Sequence, residues 1–217
     1  MNKLLVSGII NLNKGSYILE FDSNEATINI LDEVTVYILN SNLKKLIINL
    51  EDNSKLNIYK YDKLLKNDMD IIINENNDTY VNFNGTFISE KDVLFKLSNY
   101  IKGNNNSSNI NIRSVSNNEN IKIIVDVDIE KDTFNNTALE DLKGLNNGGM
   151  IHIEPNIMCR SNEVVANHLT TIGTFDQEVV EYLMSKGISE IKVKELLLNG
   201  FIYSNMDKYM KDLLGGD

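Results

Sequence analysis

The sequence predicts a mainly β body over residues 1–173 and a short C-terminal helical tail over residues 174–217, on three observations. From Lys3 to about Gly173, short runs alternate apolar and polar residues and are broken by Asn, Asp and Gly. Such alternation sends one set of side chains to a buried face and the other to water. The early runs recur every 8–12 residues or so, which leaves no room for interleaved helices and suits a sandwich, barrel or solenoid. After Gly173 the apolar spacing changes to that of helices.

The strand candidates follow in chain order. ATINIL (26–31), VTVYIL (34–39), KLIINL (45–50), KLNIY (55–59) and DIIIN (70–74) come first. TYVNFNG (79–85), VLFKLSNYI (93–101), NINIRSV (109–115), NIKIIVDVDIE (120–130) and GMIHIEPNIMC (149–159) complete the set. No sequence repeat emerges, so periodicity alone does not choose among the β architectures. In the tail, Asp176 is a helix N-cap ahead of Val180, Leu183 and Met184, and Gly187 is placed to end that helix. Ser189 can cap a second helix that Gly200 would stop. Ile202, Met206, Tyr209 and Leu213 then fall at helical spacing before the closing Gly215-Gly216-Asp217. Helices this short do not form stably alone and must pack on the β body, on each other or on a partner.

Composition narrows the function classes. The chain has 217 residues, 42% hydrophobic and 24% charged, with one proline, as expected of an ordinary soluble fold. A net charge of −10 argues against nucleic-acid binding through phosphate contacts. One cysteine cannot form an internal disulfide. No stretch approaches the ~20 apolar residues of a membrane helix, and the opening MNKLLVSGIINLN lacks a small-residue cleavage site. These features give a cytoplasmic expectation with no membrane. Asparagine is abundant but dispersed, which a bias toward A/T-rich codons accounts for without a function.

Few residues carry chemistry. No P-loop, dinucleotide fingerprint, Gly-x-Ser-x-Gly elbow or zinc-type Cys/His spacing occurs, so autonomous catalysis is not expected. Asp126, Asp128 and Glu130 share one face of VDVDIE and read as a solvated strand face. Cys159 is in phase with Ile157 and reads as a small core residue. His152 alternates with Ile151 and Ile153 and should face solvent. His168 is the remaining histidine. Imidazole ligates iron and zinc readily, but one histidine needs ligands from another turn or another subunit. The alternative is a half-buried histidine bonded to backbone in the last β turn.

A set of ordered motifs sharpens this. Pro155-x-Ile157, Val164-x-x-x-His168-x-x-Thr171-x-Gly173, Asp176-x-Glu178, the run Tyr182-Leu183-Met184-Ser185-Lys186-Gly187-Ile188, and Leu197-x-x-Gly200-Phe201 follow one another. Together they resemble the C-terminal signature of the SufB/SufD family, the scaffold subunits of the SUF iron–sulfur cluster assembly machinery. The match runs over roughly residues 120–203. The resemblance implies a right-handed parallel β-helix (solenoid) and a transient iron–sulfur cluster. It also implies pairing with a SufB-like or identical scaffold subunit, and docking of a SufC-like ABC ATPase by the tail. Leu183, Ile188, Leu197 and Phe201 are the expected docking residues.

The departures from the family pattern are specific. SufB-type subunits resemble one another in a cysteine about fifteen residues before the proline, where this chain has Glu140, and in a glutamate after the histidine, where it has Leu169. SufD-type subunits often have a cysteine two residues before the histidine, where Ala166 stands. What carries over is His168, equivalent to a SufD histidine implicated in cluster assembly. The chain is thus closest to a truncated SufD-like protein, with His168 the expected metal-touching residue.

Overall fold

The computed structural model describes residues 2–215; Gly216 and Asp217 of the closing motif lie outside them. Fifteen strands alternate between two parallel sheets. The first, eight-stranded, runs in the order β1 (Asn2–Val6), β3 (Gly15–Phe21), β5 (Glu33–Leu39), β7 (Lys55–Leu65), β9 (Tyr80–Ser89), β11 (Ser107–Ser116), β13 (Phe134–Asn146) and β15 (Glu163–Gly173). The second, seven-stranded, holds β2 (Ile9–Leu12), β4 (Glu25–Ile30), β6 (Lys45–Leu50), β8 (Met69–Glu75), β10 (Val93–Ile101), β12 (Ile121–Ile129) and β14 (Ile151–Cys159). Each strand pairs with the one two places on, so the chain winds as a parallel β-solenoid.

The alternation read in the sequence fills the solenoid. Inward side chains stack in rows along the axis; Ile10, Ile28, Ile48 and Ile73 are successive ladder partners in one row. Burying an aliphatic side chain stabilises by ~1.5–3 kcal/mol, and these rows run the length of the body. The Ile row ends at Asn99, where the interior turns polar. There the fully buried Glu75 accepts hydrogen bonds from Asn99 Nδ2 and Thr79 Oγ1, both at 2.8 Å.

Several asparagines take structural places. Asn11, Asn29, Asn49 and Asn74 form a side-chain amide ladder on the outside of the seven-stranded sheet, with N···O distances of 2.8–3.0 Å. At one corner Asn53, Asp78, Asn105 and Asn135 take positive φ of 56–64°. Asn and Asp tolerate this left-handed backbone better than other non-glycine residues. Neighbouring corners are tied together, Asn105 to Asp78 at 2.9 Å and Asn135 to Asn105 at 3.0 Å.

Three helices follow: α1 (Gln177–Ser185), α2 (Glu190–Tyr203) and α3 (Lys208–Leu213). Asp176 caps α1 by accepting from the Glu178 and Val179 amides, and Gly187 takes φ +87° just past its end. Ser189 stands at the N-cap of α2 without a side-chain cap bond. Gly200 does not stop α2, contrary to the sequence expectation; the helix runs on to Tyr203. A glycine inside a helix costs about 1 kcal/mol. Here Phe201, Ile202 and Tyr203 offset it by joining a second apolar cluster on the outer face of the eight-stranded sheet. Tyr37, Tyr61, Ile88, Val115 and Leu145 supply the sheet side of that cluster; Ile202, Met206 and Met210 supply the helix side. Polar clasps fix the contact: Asn205 donates to the carbonyls of Gly85 and Asn111, and Arg113 meets Asp141 at 2.6 Å and Ser204 at 3.3 Å.

Candidate functional site

The solenoid ends at β14 and β15, and this last coil has no successor to cover it. The inward phase of β14 is Ile151, Ile153, Pro155, Ile157 and Cys159, set beside Ile121, Ile123, Val125, Val127 and Ile129 of β12. The β12 residues are buried, whereas Ile153, Pro155 and Ile157 are half-buried and Cys159 is exposed. The phase inferred for Cys159 was right, but its reading as core filler is corrected. Of the five inward residues of β14 only Ile151 is buried; the other four lack a further coil to cover them. Partial burial pushes the Cys159 thiol above its ordinary value, which disfavours the nucleophilic thiolate.

β15 is the outer edge of the eight-stranded sheet, exposed on both faces, with Val165, Leu169 and Ile172 among its exposed apolar side chains. An uncovered edge strand presents a row of unpaired backbone groups to another chain. His168 lies on this strand, exposed, and no side-chain hydrogen bond holds it among the described residues. Its ladder partner is Glu140 of β13. The flanking pairs Ala138–Ala166 and Leu142–Thr170 are in register with it, so Glu140 and His168 share the inner face. Glu140 is only 3% exposed, and burial, then the charge of Asp126, pushes its carboxyl up to about 7.

The other residues singled out from sequence fall as follows. His152 is exposed, with Nε2 2.7 Å from Glu154 Oε1; Lys122 foremost, then His152, hold the Glu154 carboxyl below its ordinary value. Asp126 pairs with Lys96 at 3.0 Å and Asp128 with Arg160 at 2.8 Å on the outer sheet face, while Val125, Val127 and Ile129 are buried. Among the described residues, no group of three or more His, Cys, Asp or Glu could hold a metal ion. Among the described residues, no helix is long and apolar enough to cross a membrane.

Leu183, Ile188, Leu197 and Phe201 are all half-buried, and Phe201 packs against the second apolar cluster. The α1–α2 hairpin encloses Val180 and Val193 and leaves Tyr182, Met184, Ile191 and Leu196 exposed, Ile191 at 83%. These exposed members were missed in the sequence, where every residue of an apolar stripe looks equally inward. Glu140 was noted there only as a departure from a family cysteine; the strand that buries it was not among the strand candidates.

The chain is thus a parallel β-solenoid with an uncovered terminal coil, a histidine on its edge strand and a helical tail folded back on one sheet. Residues 25–201 match the family model described as the SUF system FeS cluster assembly, SufBD core domain. The chain belongs to that family, and so to the proteins of SUF iron–sulfur cluster assembly. No curated protein matches it in sequence.

Proposed function

We propose that this protein is a non-enzymatic scaffold subunit for iron–sulfur cluster assembly, working in the cytoplasm. It pairs through the β15 edge with an identical or SufB-like subunit and docks a SufC-like ABC ATPase through its helical tail. The observation that carries this reading is the uncovered terminal coil, where an unpaired strand edge and the exposed His168 occur together. His168 contributes an iron ligand, and the partner supplies what one chain lacks. The nascent iron–sulfur cluster is cargo rather than a resident cofactor. For the ATPase, the docking face comprises Leu183, Ile188, Leu197 and Phe201 together with the more exposed Tyr182 and Ile191, since apolar anchors carry most of an interface's energy.

Two experiments test the proposal. Anaerobic reconstitution with iron and sulfide, read by visible absorbance, should yield a cluster in the wild type and markedly less in His168→Ala, with oligomeric state unchanged. Ile191→Asp should lose co-purification with the ATPase while keeping wild-type circular dichroism, because Ile191 makes little packing to lose. A second reading, a solenoid that docks the ATPase and builds no cluster, is favoured by one observation: the chain's single thiol, Cys159, is raised in pKa rather than activated. Retained ATPase binding with no cluster under any reconstitution condition would select it.

A further inference from the structure

A buried ion pair of the eight-stranded sheet stands behind an open cleft. Lys60 takes the inward phase of β7 after Leu56 and Ile58, between the ladder neighbours Ile38 and Gly85, and its side chain is 0% exposed. Its Nζ lies against Asp62 and donates to Ser41 Oγ at 2.8 Å. Apolar residues of similar volume often hold such a place as well or better, because desolvating two charges costs so much. Packing alone therefore gives no reason for Lys60.

What Lys60 reaches through Ser41 is a cleft of about 240 Å³ between the loop after β5 and the far end of β7, lined by Asn40, Ser41, Asn42, Asp62, Lys63 and Lys66. The Lys60 ammonium occupies an acceptor position of Ser41 Oγ, and no acceptor takes the Ser41 hydroxyl proton among the described residues. That O–H is left to donate into the cleft. Asp62 is spent on the protein itself: Oδ1 accepts the Ser41 amide at 2.9 Å, and Oδ2 faces Lys60 at 2.5 Å. Between Asp62 and Leu65 the register slips, so that two residues of β7 stand against one of β9. A bulge of this kind re-aims a side chain. Here it brings Lys63 to the cleft wall, with the Lys63 amide held by Asn40 Oδ1 at 2.9 Å.

The charge balance favours an anion. Lys60, Lys63 and Lys66 set three ammonium groups against the carboxylates of Asp62 and Glu90, the latter 3.5 Å from Lys66. Lys63 is exposed and has no ion pair among the described residues. This excess occurs in a chain of net charge −10, where an average patch is acidic. A phosphate group offers an oxygen to the Ser41 hydroxyl, the Lys63 ammonium and the Asn42 carboxamide at once, and charge-assisted bonds of this sort are about twice as strong as neutral ones.

We infer that Ser41, Lys63 and the buried Lys60 form a binding site for a phosphate group, carried by the free ion or by a small phosphomonoester. Ser41 and Lys63 touch the phosphate oxygens, and Lys60 is a positioning residue that polarises the Ser41 hydroxyl from behind. The site is independent of the subunit pairing and cluster chemistry proposed above.

Isothermal titration of the full chain with inorganic phosphate, and separately with glycerol 3-phosphate, tests the site at about 0.15 M ionic strength. At least one probe should bind saturably at one per chain, and the tighter probe identifies the source of the phosphate group. Lys63→Gln removes an exposed side chain without touching the core and should weaken that binding by about 10-fold or more. Lys131→Gln removes an exposed charge at the corner between β12 and β13, outside the cleft, and should leave affinity within about twofold because salt screens it. The paired change Lys60→Met with Asp62→Leu keeps Ser41 and Lys63 yet should also lose about 10-fold, which a purely structural ion pair would not cause. Should that variant fail to fold, Ser41→Ala carries the same expectation, and full binding by it overturns the assignment. No saturable binding of either probe at millimolar concentration overturns the site. So does binding that Lys63→Gln leaves unchanged, or that Lys131→Gln weakens as much, the mark of unspecific attraction by charge.

Discussion

The Tyr37 hydroxyl donates a 2.7 Å hydrogen bond to Asp207 Oδ2, joining β5 near the start of the solenoid to the cap of α3 across 170 residues of sequence. The other oxygen, Oδ1, accepts the Met210 amide at 2.7 Å. One carboxylate thus starts the last helix and fastens it to the sheet; burial first, then the hydrogen bond and charge of Asp207, push the Tyr37 hydroxyl well above its ordinary pKa. Asp207→Ala removes both bonds and should destabilise by about 2–3 kcal/mol. Tyr37→Phe removes one and should cost about 1 kcal/mol. Urea unfolding checks the ranking; equal effects would mean that the cap carries nothing.

Inside the body, Lys60 Nζ lies 2.5 Å from an Asp62 carboxylate oxygen, with both side chains at most 4% exposed. Ser41 Oγ accepts a further bond from Lys60 at 2.8 Å. Breaking a buried pair from one side leaves the other charge without compensation. Asp62→Ala should therefore cost about 3–5 kcal/mol, and the double change Lys60→Met with Asp62→Leu far less. Chemical denaturation of both variants provides the comparison, and a double variant as unstable as the single one would refute it.

Glu140 also makes stability depend on pH. Its folded value of about 7 exceeds the ordinary 4.5, so the unfolded chain gives up this proton first. Below about 4.5 both states are protonated and the group is neutral to stability. As pH rises from there to about 7, the native state is progressively penalised, by about 3 kcal/mol at most. In buffer containing a chelator, Glu140→Gln should flatten this part of the stability–pH profile and raise stability at pH 8. An unchanged slope would remove the assignment.

At the terminal coil, the two candidate ligands of different chemistry should separate cleanly. Cys159→Ala should leave reconstituted cluster and oligomeric state intact. Its cost in stability should be well below the 2–5 kcal/mol of a large core truncation, because Cys159 is exposed. Loss of cluster in Cys159→Ala with none in His168→Ala would reverse the assignment.

The sequence by itself determined the character of each segment. Alternation in runs such as KLIINL and VLFKLSNYI coincides with β6 and β10 to the residue, because a side-chain period of two follows from backbone geometry alone. Asp176 marked the first helix for the same local reason, a side chain reaching amides two and three residues on. The motifs from Pro155 to Phe201 carried the family. Only tertiary structure decided what depends on neighbours far along the chain. β13 was not legible: Asn136, Ala138, Glu140 and Asp141 have weak strand preference, and pairing with β11 and β15 holds the segment extended. Gly200 lies inside a helix because the sheet face rewards the residues after it. Cys159 is exposed and Glu140 buried although both face inward, since burial in a solenoid depends on the coil beyond, and β14 and β15 are the last.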